Sequence, residues 1–184
     1  VEHLVVKAFL FSTEAIVYGL LAFLLWMFYR GFGRQYVKFW SLSLAALSVE
    51  QITRSIQYFS YMAVDTSYEK IALQWCEQVS GYLFLGFLLI GIYGAQKNVV
   101  LKKSTISFLF ISVLLLGSFT ALNSAFEPSE VYARFYLRVT FHAFIIGCGF
   151  LGIAAYLMMN KKRHFSSRIL MYFSTINMFE REDF

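Results

Sequence analysis

Five long apolar stretches alternate with short clusters of charge along the chain. They cover Val5 to Tyr29, Phe39 to Ala63, Ile71 to Gln96, Ser104 to Ala125 and Glu130 to Asn160. Each matches or exceeds the ~20 residues that a helix needs to cross a bilayer core. Because a helix satisfies its own backbone groups in lipid, the pattern predicts an all-α, polytopic transmembrane bundle of five spans. A sixth stretch, Phe165 to Phe179, is apolar but only about 15 residues long, and reads as a short or tilted sixth span. The linkers are short and no repeat interrupts them, so residues 1–184 read as a single transmembrane domain. The chain opens on Val without an initiator Met, and it is expected to be part of a longer one.

The polar positions inside these stretches are few and unevenly spread. In the second, Glu50, Arg54, Gln57, Tyr58 and Tyr61 follow the three-and-four spacing of one helix face, with Gln51 beside them. Glu14 lies in the first stretch, Gln74, Glu77 and Gln78 in the third, and Ser118, Thr120, Asn123 and Ser124 in the fourth. Arg134, Arg138 and His142 stand four residues apart along the fifth. In an up-and-down bundle all of these fall at one level, in one half of the membrane. Three carboxylates (Glu14, Glu50, Glu77) then face three guanidinium groups (Arg54, Arg134, Arg138), and matched charge lowers the cost of burying them. Two readings compete. The cluster is either a ligand pocket, in which Arg134 and Arg138 suit a carboxylate or phosphate, or a salt-bridge network that only fixes helix packing.

Charge gives the expected orientation. Arg30, Arg34, Lys38, Lys97, Lys102, Lys103, Lys161, Lys162, Arg163 and Arg168 follow the first, third and fifth stretches with no acidic residue among them, whereas the other side carries Glu2, Asp65, Glu69, Glu127 and Glu130 against Lys7 and Lys70. Basic loops favour the cytoplasm, so the N-terminus and the polar half are expected outside. The net charge of +5 thus belongs to membrane topology and not to nucleic-acid binding. The expected partners are the lipid bilayer and a small-molecule ligand, with room for a second copy in a homodimer.

Other chemistry is sparse. Cys76 and Cys148 share no metal spacing and read as small buried residues. His142 has no second histidine at its depth for a haem pair, and no cofactor is expected. Gly81, Gly86, Gly91, Gly94, Gly147, Gly149 and Gly152 read as points of close helix approach. No zincin, nucleophile-elbow or phosphate-loop motif is present, so no catalytic residue is assigned.

The segment Tyr29-Arg30, followed by Gln35-Tyr36-Val37-Lys38-Phe39-Trp40-Ser41-Leu42-Ser43-Leu44-Ala45-Ala46-Leu47, resembles the N-terminal membrane regions of bacterial histidine kinases and diguanylate cyclases. In those regions a basic, aromatic turn leads into a second span opened by Trp. The tail from Asn177 to Phe184 is similar to the approach to their last span. The resemblance implies a sensory module of a bacterial inner membrane, coupled to a cytoplasmic output domain, and it assigns no ligand residues. With the polar cluster, it leads to the expectation of a receptor binding a small ligand from outside. The alternative is a small proton- or ion-coupled transporter that uses the Glu/Arg cluster as a relay.

Overall fold

The computed structural model describes residues 2–60, 67–97, 102–123, 143–153 and 155. The chain divides into two units, Val1–Val131 and Tyr132–Phe184. The described residues of the first unit form α1 (Glu2–Phe32), α2 (Gln35–Ser60), α3 (Ser67–Lys97) and α4 (Lys103–Asn123). No strand occurs among the described residues.

The helices stand in a row, in chain order. α2 packs on α1 and α3, α3 packs on α2 and α4, and among the described residues no other pair meets. Sequence explains the first corner. Gly33 takes a left-handed φ of 64° and its N–H bonds the Tyr29 carbonyl at 2.8 Å, closing α1 so that Arg34 alone leads into α2.

The α1–α2 seam is written in two heptads. Ser41, Ser48 and Ser55 donate to the carbonyls of Ala22, Ala15 and Ala8 at 2.7, 2.7 and 2.9 Å. The two series run in opposite directions, so the helices are antiparallel with one register held along the seam. Seven-residue spacing keeps a stripe on one face of two slightly supercoiled helices. Alanine opposite serine brings the backbones close enough for a hydroxyl to reach a carbonyl. Across the α2–α3 seam, Ser43 donates to the Phe84 carbonyl at 2.9 Å. Between α3 and α4, a Cβ at Gly117 would lie 3.2 Å from the Val79 Cα, so only glycine admits this approach. Gly86 and Gly91 likewise face Leu109 and Trp40.

Three described helices are long and apolar enough to cross a membrane: Val5–Phe32, Ile71–Ala95 and Lys103–Ala121. The chain is therefore read as a helical membrane protein. The expected second span is missing from the three. α2 has the length, but its serines and charged residues make it less apolar than those three; it packs between α1 and α3 with Val49, Ile52, Ile56 and Phe59 exposed. In the α3 window 61% of residues are buried, against 17% for α1 and 22% for α4, so α3 is interior and the other two present apolar faces outward. On α4 that face carries Phe108, Ile111, Leu115 and Phe119.

The second unit is described only over α5 (Ala143–Ile153), a short apolar helix with Ile146, Phe150 and Ile153 buried. Among the described residues a Cβ at Gly147 or Gly152 would meet nothing within 4 Å. Most of the expected fifth span and all of the sixth lie outside the described residues. Both cysteines are exposed and free, against the expectation of buried positions. Small size permits burial, but Cys76 lies on a side of α3 that neither neighbour covers.

Candidate functional site

Antiparallel packing gathers most basic residues of the first unit at one end, where Arg30 closes α1, Arg34 and Lys38 open α2, Lys97 closes α3 and Lys102 and Lys103 open α4, while Lys7, Arg54 and Lys70 lie in the other half. The half of the row remote from that end holds the polar layer.

Arg54 is its centre. From α2 its Nη2 reaches Glu50 Oε1 at 2.7 Å, one turn back on the same helix. Its Nε donates to Glu77 Oε1 on α3 at 3.2 Å. Gln57 Nε2 donates to the other oxygen of Glu77 at 3.0 Å. On the α1 side the guanidinium stands 6.0 Å from the Phe11 ring, which stacks on Tyr58 at 5.4 Å. One cation thus links three helices.

Burial within this group is graded. The Glu50 side chain is 0% exposed, that of Glu77 13% and that of Arg54 22%. Formal charge is unequal as well: these contacts set two carboxylates against one guanidinium. Such a bridge ties α2 to α3 through Glu77 and is costly to break, because a buried carboxylate that loses its cation loses favourable charge pairing in a surrounding of low dielectric.

Of the residues singled out in the sequence, Glu50, Arg54, Gln57 and Glu77 meet directly, and Tyr58 joins through Phe11. Gln78 follows Glu77 and is almost wholly buried. Gln74 is half-buried about one turn from Glu77, and Glu14 half-buried on α1 just before Ala15. By the α1–α2 register Glu14 stands at the depth of Glu50. Arg134, Arg138 and His142 lie outside the described residues, as does the expected balance of three cations against three anions.

Ser12, which shares a 2.7 Å hydrogen bond with Ser55, and Phe11 were not among the candidates, although both border the layer. The signal for the serine seam was present in the seven-residue spacing of 41, 48 and 55 opposite alanines 8, 15 and 22. Nothing local marked Phe11. On α4, Ser118 accepts from Trp75 Nε1 at 2.9 Å, while Thr120 turns back on its own helix to the Leu116 and Gly117 carbonyls at 3.0 Å. Among the described residues no group of three or more His, Cys, Asp or Glu could hold a metal.

Neither a family model, nor a curated protein, nor a solved structure matches the chain.

Proposed function

We propose that this chain is a membrane-embedded receptor module that binds a small ligand in the polar layer around Arg54 and signals through its basic end to a cytoplasmic output domain. The basic end faces the cytoplasm in this reading, which puts the N-terminus of α1 and the polar layer on the outer side. The observation that carries it is the Glu50–Arg54–Glu77 bridge, buried on one flank and partly open at Arg54. A ligand that competes for Arg54 or its carboxylates changes what ties α2 to α3. It then shifts the population between two arrangements of those helices by the difference in its affinity for each. The helix ends at Arg34 and Lys103 are where that shift reaches the cytoplasm.

A transporter has less behind it. The buried serines on the basic-end side of the layer, Ser41, Ser43, Ser48 and Ser80, are already bound to the Ala22, Phe84, Ala15 and Cys76 carbonyls.

The test needs no ligand. Spin labels are placed at Arg34→Cys and Lys103→Cys, with Cys76 and Cys148 changed to Ser, in the full chain in lipid nanodiscs. Glu77→Gln, which weakens the bridge across α2 and α3, should shift or split the distance distribution between the labels. An unchanged distribution in both Glu77→Gln and Arg54→Gln would mean that the layer is not coupled to the basic end, and the receptor reading would fall.

A further inference from the structure

The corner between α1 and α2 gathers chemistry that the polar layer does not use. Arg30 lies in the last turn of α1, Arg34 follows the turn at Gly33, and Lys38 stands one turn further along α2. Arg30 and Arg34 are exposed. Lys38 Nζ lies 6.0 Å from the centre of the Tyr29 ring, which draws it back from α2 onto the end of α1. Three cations therefore share one corner. No Asp or Glu occurs between Glu14 and Glu50, and Glu50 stands about 18 Å along the helix from Lys38, well past a Debye length of about 10 Å. Among the described residues none of the three cations is in an ion pair.

The surroundings narrow what such a corner takes. Trp26 packs on Tyr29 at 5.4 Å, and Tyr36 on Trp40 at 5.2 Å. Indole and phenol rings settle at the level of lipid headgroups, where one edge is apolar and the other wet. Beside them Phe28 and Phe32 stack at 6.1 Å and stay 55% and 72% exposed. Two guanidinium groups and an ammonium suit a phosphate. The exposed rings next to them suit acyl chains, which a free anion would not supply. We propose that the α1–α2 corner binds the headgroup of an anionic phospholipid, its phosphodiester held by Arg30, Arg34 and Lys38 and an acyl chain lying on the exposed rings of α1. This site is at the opposite end of the helices from the Arg54 layer and does not depend on the receptor reading.

The probe is phosphatidylglycerol carrying a dansyl group on one acyl chain, titrated into the full chain in dodecyl maltoside micelles. Energy transfer from tryptophan reports its approach. The comparisons are dansyl phosphatidylcholine, which keeps the phosphate but is neutral overall, and unlabelled phosphatidylglycerol or glycerol 3-phosphate as competitor. Transfer from phosphatidylglycerol should saturate and should be displaced by the unlabelled lipid. Arg30→Gln, Arg34→Gln and Lys38→Gln should each weaken it about fivefold, as expected for one basic residue at an anionic surface. Arg34→Lys and Lys38→Arg, which keep the charge, should retain it. Lys103→Gln, at the same end but on α4, should change it less than about twofold. Equal affinity for phosphatidylcholine would overturn the proposal, and so would displacement by glycerol 3-phosphate at the same concentration, which would make the site one for soluble phosphates. A loss in Lys103→Gln as large as in Arg34→Gln would reduce the corner to a diffuse field and overturn it too. The same loss in Arg34→Lys as in Arg34→Gln would remove charge as the cause and refute it outright.

Discussion

Replacing Arg54 by Leu should be the most damaging single change in the first unit, and the way it is rescued should be lopsided. The substitution removes the 2.7 Å contact to Glu50, the 3.2 Å contact to Glu77 and the cation over Phe11. The carboxylates left behind differ. Glu77 keeps the 3.0 Å hydrogen bond from Gln57 and is 13% exposed, so water and an amide still serve it. Glu50 is 0% exposed, so no water replaces the 2.7 Å ion pair that it loses. Truncating one partner of a buried ion pair typically costs about 3–5 kcal/mol, and most of that should come from Glu50. Adding Glu50→Gln should therefore recover most of the loss, whereas adding Glu77→Gln should recover less than about 1 kcal/mol, the range of a partly solvated pair. The measurement is a denaturant titration of the full chain in mixed micelles, followed by tryptophan fluorescence, on the single and both double variants. Equal rescue by the two glutamines, or a single-variant loss below about 1 kcal/mol, would refute the reasoning. Glu50 would then have another source of compensation, and the bridge would not be what holds α2 to α3.

Two further outcomes follow from the packing and the charge. Ser48→Ala removes one hydroxyl–carbonyl bond and should cost only ~0.5–1.5 kcal/mol. Ser48→Leu must push the Ala15 seam apart and should cost more, with overpacking alone contributing ~1–3 kcal/mol, as read in the same titration; similar losses for both would show that the heptad is not a close-packed seam. For orientation, in a background of Cys76→Ser and Cys148→Ser, a cysteine at Tyr68 should react with an impermeant maleimide in intact cells, and one at Arg34 only after permeabilisation; the opposite pattern would put the polar layer on the cytoplasmic side.

Helix, length and one-sided polarity could be read from the chain because they are properties within a single element. Covalent geometry sets 3.6 residues per turn, so Glu50 and Arg54 had to share a face wherever α2 came to rest. Apolar length and the runs of basic residues likewise predicted bilayer-crossing helices with charge at one end, and three of those helices are present. What one helix does to the next was decided elsewhere. Whether Arg54 would reach Glu77 depends on the register of α3 against α2, set by many side chains far apart in sequence, among them Ser43 bound to the Phe84 carbonyl and Trp40 against Gly91. The same non-local packing left Cys76 exposed, drew Phe11 under the guanidinium, and set α2 between α1 and α3. It also buried the Gln51 and Gln78 oxygens without partners. A glutamine in a sequence carries the same donors and acceptors everywhere, and only its surroundings decide whether they are met.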